Sequence, residues 1–83
     1  MPASSSARVQ EARDRIAFRL RGLRADAGLT GQQLAKLTDW QGSKVSRLQS
    51  GRSQPSDDDI RAWCRACGAE DEAADLGTVR RIM

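Results

Sequence analysis

An all-helical bundle is what this chain of 83 residues predicts, and three observations predict it. Apolar residues recur at steps of three and four, capping residues stand ahead of the runs, and glycines stand behind several of them. The 39% apolar fraction includes three aromatics, Phe18, Trp40 and Trp63, so the core must consist mostly of Leu, Ile, Val and Ala. A chain of this length forms one small domain and hides only about 60 to 65% of the surface its unfolded form exposes.

Residues 1–7 read as a flexible tail and 8–83 as the folded domain. Val9, Ala12, Ile16, Leu20, Leu23 and Ala27 form one stripe at helical spacing, which gives helix one, stopped by Gly28. Phe18 falls opposite that stripe, as a lone exposed aromatic or as part of a contact with another chain. Helix two runs from about Gly31 to Leu37: Thr30 caps it, Gln33 reaches back as in a capping box, and Leu29 staples onto Leu34. Helix three covers about Gly42 to Ser50, with Gln41 near the cap position, Trp40 and Val45 as a second staple, and Gly51 as a left-handed stop. Ser56 caps helix four. Asp57, Asp58 and Asp59 then complement the positive end of its dipole, a cheaper account of them than a cation cluster. Ile60, Trp63, Cys64 and Cys67 face inward before Gly68 ends the helix. Ala69 to Arg81 is helical in composition, with Ala73, Leu76 and Val79 or Arg80 on one side, though Gly77 and Thr78 weaken it.

Composition narrows the function. The chain has no histidine, which removes Ser-His-Asp and Cys-His pairs, zincin motifs and imidazole metal ligands. An enzyme is therefore a poor reading, and no cofactor or small-molecule substrate is expected. Cys64 and Cys67 are spaced as a redox pair or half a zinc site, but two further zinc ligands are lacking. The pair also sits at a helix end, where a dipole does not activate a thiol, and reads as two reduced core thiols. No apolar run approaches the roughly 20 residues that span a bilayer, and Met1 to Ser6 lacks a signal pattern. The expectation is a cytoplasmic protein with no membrane partner.

Charge gives the first positive clue. Residues 1–55 hold ten Lys and Arg against four acids, a balance of +6, whereas residues 56–83 hold four Arg against seven acids, a balance of −3. Such asymmetry suits a polyanion on one face, although a solvated surface also explains it. Helices two and three sharpen the clue. They form a short angled pair with Leu34, Ala35, Trp40, Val45 and Leu48 at inward spacings and Asp39 where the turn needs a left-handed backbone. Helix three presents Gly42, Ser43, Lys44, Ser46 and Arg47 outward, groups that are short or basic and leave room for a groove.

These residues resemble the helix-turn-helix family of the phage repressor and Cro type, often called Xre. The matching stretch is RLRGLRADAGLTGQQLAKLTDWQGSKVSRLQSGRSQPSDDDIRAWCRACG, residues 19–68, through the order LT-x3-LA, KVSRL-x2-G-x3-P. It is most similar to the N-terminal domain of streptomycete-type regulators, in which a longer C-terminal domain follows. The resemblance implies a bundle of four or five helices of the lambda-repressor type, acting as a dimer on double-stranded operator DNA. It places base contacts at Gly42, Ser43 and Arg47 with Lys44 beside them. Glutamine is frequent where Gly42 stands, so readout shifts toward Ser43, Lys44 and Arg47. Phosphate contacts fall at Thr30, Gly31 and Gln32 and at Arg52 and Ser53, through backbone N–H groups and side chains, with Gln41 and Ser46 added. The family's Arg–Glu link between helices one and three becomes Arg24 and Gln49, a neutral-acceptor hydrogen bond. A weak homodimer is expected to pair through Leu76, Val79 and Ile82. The alternative is a protein-interaction or antitoxin-like adaptor domain that keeps the fold and uses Phe18 and the acidic C-terminal helices.

Overall fold

Nothing between Ser4 and Arg21 breaks a helix, and the first helix uses that whole run. The computed structural model describes residues 4–74 and 76, with side chains from residue 8 onward. In it α1 spans Ser4–Asp26, α2 Gly31–Thr38, α3 Gly42–Gln49 and α4 Asp57–Ala66. Residues 72–74 and 76 are also helical, and no strand occurs among the described residues. The helix begins at Ser4, inside the stretch expected as a tail, and residues 1–3 of that stretch lie outside the described residues.

The stripe of α1 buries Ile16 and Leu20 and packs Leu23 against the core. Ala17 is buried beside them, whereas Ala27, expected on the stripe, is exposed because α1 ends at Asp26 and Gly28 turns the chain with φ 72°. Leu34 and Ala35 from α2, Val45 and Leu48 from α3, and Ile60, Trp63 and Cys64 from α4 close the core over that stripe. The Trp63 ring is fully buried, and its Nε1–H donates to the Leu20 carbonyl at 2.9 Å, so the one polar atom of the largest core residue is satisfied. Trp40 packs against the same cluster with its ring 6.5 Å from that of Trp63.

Leu76 is fully buried in this core and is not available to pair with a second copy, which corrects its expected role. Its place in the apolar core carries that burial, and beside it Arg19 of α1 pairs with Glu72 at 2.5 Å. Val79 and Ile82, the other residues of that expected pairing surface, lie outside the described residues. Both cysteines are free, Cys64 buried and Cys67 half-buried. Burial pushes the Cys64 thiol up to about 11, with the neighbouring Cys67 and Glu72 adding to it. Burial also raises Cys67, against a smaller opposing pull from Arg24. These are inert packing thiols, as their place at a helix end implies.

Candidate nucleic-acid interface

The angled pair is built from the caps outward. The Thr30 hydroxyl accepts from the Gln33 N–H at 3.1 Å, and Gln33 Oε1 accepts from the Thr30 N–H at 2.8 Å, the reciprocal box read from the sequence. With Gln33 capped and the Leu34 N–H bonded to the Thr30 carbonyl, the amides of Gly31 and Gln32 are the first-turn donors of α2 left for an outside acceptor. The Thr30 oxygen accepts in the cap, and its O–H stays available as a donor. At the other end Asp39 takes the left-handed conformation, φ 61° and ψ 33°, and the Trp40 N–H returns to the Ala35 carbonyl at 2.9 Å. This turn sends α3 off at an angle to α2.

Val45 and Leu48 anchor α3 in the core, which leaves Gly42, Ser43, Ser46 and Arg47 exposed. Gln41 occupies the extended N-cap position, but its side chain makes no cap hydrogen bond, so the Gly42 and Ser43 amides also stay open. Nothing lies within 4 Å of where a Cβ on Gly42 would sit. The start of α2 abuts α3: a Cβ on Gly31 would be 3.8 Å from Val45 Cγ1 and 4.0 Å from Gln49 Nε2. The expected residues Gln41, Gly42, Ser43, Ser46 and Arg47 are exposed along α3, and Gly31 at the start of α2 sits against α3.

The far end of α3 is held firmly. Arg24 Nε donates to Gln49 Oε1 at 3.1 Å, the link expected from the sequence, while its Nη1 donates to the Leu29 carbonyl at 2.8 Å. The Arg21 guanidinium donates to the Gln49 carbonyl. The Arg47 carbonyl accepts from the N–H groups of Arg52 at 3.1 Å and Ser53 at 3.4 Å, and from the Ser50 hydroxyl at 3.2 Å. This corrects the expectation for the loop: the amides of Arg52 and Ser53 are spent on closing α3, and what the loop offers outward is the exposed Arg52 side chain and the half-buried Ser53. Gly51, at φ 79°, is buried against α1, where a Cβ would come within 2.6 Å of Asp14 Oδ1 and Gln10 Nε2 bonds its carbonyl at 3.2 Å.

Lys44 is placed differently from its neighbours on α3. Its Nζ turns back to Asp59 Oδ1 at 2.9 Å and lies 4.4 Å from the centroid of the Trp40 ring, so it is not displayed with Ser43 and Arg47. A long flexible stem lets an ammonium find a carboxylate and an aromatic face behind the helix, which a short side chain at the same position could not reach. Burial raises the pKa of Asp59, but the hydrogen bonds from Lys44 and from the Ser56 backbone and the Lys44 charge outweigh it and hold the carboxyl below the usual aspartate value.

A family model described as a helix-turn-helix domain matches residues 15–76, well over half of the chain. The chain belongs to the helix-turn-helix domain family. No curated protein and no solved structure matches it. The helix-turn-helix match takes in the second half of α1, the angled pair, α4 and the segment that carries Leu76, so the arginine clamps on α3 belong to the domain as much as α3 does. Membership makes this a DNA-binding module of the kind used in transcription regulation. No helix among the described residues is long and apolar enough to cross a membrane.

Two participants in this helix-turn-helix escaped the sequence reading. Arg21 lies one helical turn before Arg24, a spacing that signals a shared face toward α3. Asp59 counted only as one of three dipole-complementing acids. It is the third residue of a reciprocal box with Ser56, whose Oγ accepts from the Asp59 N–H at 3.0 Å while Asp59 Oδ2 accepts from the Ser56 N–H at 3.1 Å. The Ser-x-x-Asp spacing was the available signal, read there only as a cap followed by charge.

Proposed function

We propose that this helix-turn-helix domain is of the repressor and Cro kind and binds double-stranded DNA sequence-specifically as a transcription regulator in the cytoplasm, with α3 in the major groove. The observation that carries the reading is the exposed polar face of α3, Gly42, Ser43, Ser46 and Arg47, whose first-turn amides are uncapped. Ser43 and Arg47 read base edges, Arg47 through the bidentate geometry that suits guanine. The open amides of Gly31 and Gln32, with Thr30, Gln41, Ser46, Ser53 and the Arg52 side chain, seat phosphates and fix register without reading sequence. One short helix discriminates too few base pairs for a genome, so two copies act on an inverted repeat with half-site centres about 10 base pairs, or roughly 34 Å, apart.

Titration of duplex binding against salt tests this directly. The expected log–log slope is about −3 to −6 per domain for four to six neutralised phosphates, and a flat response overturns the reading. On a site selected from random duplexes, Arg47→Ala should lose about 1 to 3 kcal/mol and relax one base position, whereas Arg52→Ala should weaken all sequences alike.

A second reading, a protein-interaction or adaptor domain, is favoured by one observation. Phe18 and Leu37 are 69% and 61% exposed, and Leu37 borders an open groove of about 420 Å³ with Thr38, Ala62, Arg65 and Ala66. A gel shift with mixed duplexes at low salt separates the two readings, since an adaptor leaves the DNA unshifted.

A further inference from the structure

The side chain that departs from the exposed face of α3 joins three elements at one point. Lys44 is the third residue of α3, Asp59 the third of α4, and Trp40 the end of the turn before α3. The Asp59 carboxylate is shared: Oδ2 closes the cap of α4 on the Ser56 N–H at 3.1 Å, and Oδ1 takes the Lys44 ammonium at 2.9 Å. The same ammonium lies over the Trp40 ring, which is tilted against the buried Trp63. The Asp59 side chain is 19% exposed and that of Lys44 37%, so among the described ion pairs this carboxylate is the best shielded, with Arg19–Glu72 next at 38% and 40%. Between its two ends runs the loop that carries Arg52 and Ser53, whose start is already pinned on the Arg47 carbonyl.

We propose that Lys44 is a positioning residue that sets specificity: through Asp59 and Trp40 it fixes the angle of α3 relative to the loop at 50–56, and so decides how well Ser43 and Arg47 meet base edges while Arg52 meets phosphate, without contacting the nucleic acid itself. This rests on the DNA-binding reading above. The physical reason is geometric. The N-terminal end of α3 has no side-chain cap, and the core anchors Val45 and Leu48 hold its inner face but not its swing about that face. The Lys44–Asp59 pair ties the third residue of α3 to the start of α4. A site held loosely keeps its phosphate attraction, which depends on total charge, and loses its base readout, which depends on placement to a fraction of an ångström.

The test uses Lys44→Met, Lys44→Arg, Asp59→Asn and the double variant Lys44→Met with Asp59→Asn. Each is measured on a selected duplex and a random duplex over a range of salt, with urea unfolding of each variant to set conditions where it is folded. Lys44→Met and Asp59→Asn should each lower the ratio of selected to random affinity by about ten-fold, within the range over which neighbours in one network couple. The double variant should be no worse than the weaker single. Lys44→Arg, whose guanidinium keeps both the carboxylate and the ring as partners, should restore the ratio. The salt slope of Lys44→Met should match that of the parent. A slope reduced by about one makes Lys44 a phosphate contact and overturns the proposal. So does a loss in Lys44→Met that Asp59→Asn fails to reproduce, since that makes Lys44 a direct reader. If the parent chain shifts no duplex at all, the DNA-binding reading fails instead, and the two failures are distinct.

Discussion

Helices α2 and α4 begin in complete reciprocal boxes, Thr30 with Gln33 and Ser56 with Asp59, whereas α3, between them, begins at Gln41 with no side-chain cap. The difference shows how stability and display are divided. The two capped helices each bond their third amide to their own cap residue and serve as frame. The middle one gives up local satisfaction at its N-terminus and is secured by Val45 and Leu48 beneath, by Arg21 and Arg24 on Gln49 at its end, and by three donors on the Arg47 carbonyl. Its first-turn amides stay without a side-chain cap, open to an outside acceptor.

That comparison breaks first, and most severely, at Leu48. If α3 is held from beneath, Leu48→Ala should cost about 2 to 5 kcal/mol and leave a domain this small largely unfolded, as read by urea denaturation. A cost no larger than that of losing a cap would show that local structure, not packing, holds α3. The caps come next. Ser56→Ala and Thr30→Ala should each cost about 1 kcal/mol, while Gln41→Ala should change stability by less than about 0.5 kcal/mol, because it removes no bond. Equal effects at the three positions would erase the distinction.

Acid sharpens it further. The Asp59 carboxyl is held below its ordinary value in the folded chain, so its ionised form contributes stability at neutral pH, and that contribution fades as pH falls below about 4, the ordinary aspartate range. Asp59→Asn should therefore be less stable than the parent at pH 7, and the gap should narrow toward pH 3 in parallel thermal melts. A gap that persists unchanged at pH 3 would put the effect in packing and not in charge. The smallest effect is a gain: Gln41→Asp supplies the missing cap and should stabilise the domain by about 0.5 to 1 kcal/mol while weakening duplex binding, since it sets a carboxylate where phosphate is expected. Stabilisation with undiminished binding would show that the open end of α3 does not face the polyanion.

The frame was legible because its signals are local. Thr30 with Gln33, Ser56, Gly28, Gly51 and Gly68 each declare themselves within a turn of sequence, and the Arg24–Gln49 link follows once helices one and three are set side by side. What escaped depends on contacts between elements. Lys44 looked outward by its place on α3, but Asp59, fifteen positions on, and the Trp40 face lie within reach of its stem. Leu76 looked like one residue of a weak surface stripe, but its segment packs onto the core, with Arg19 and Glu72 paired beside it. Backbone N–H groups of the loop at Arg52 and Ser53 have no sequence signature at all, and only the fold shows that α3 consumes them. Of the expected face of α3, Gly42, Ser43, Ser46 and Arg47 stand exposed and Lys44 does not.

Gly42 carries a consequence for heredity. It opens α3 in ordinary helical backbone, exposed, with empty space where a Cβ would stand. A substitution there disturbs no neighbour. Every glycine codon is one nucleotide away from an arginine codon, so a single copying error can write a guanidinium onto the leading edge of α3. The neighbouring buried positions admit no such freedom: Val45 and Leu48 are locked by the core. If the proposed reading of DNA by α3 holds, descendants of this chain could change target through this one position while the scaffold stays under unchanged selection.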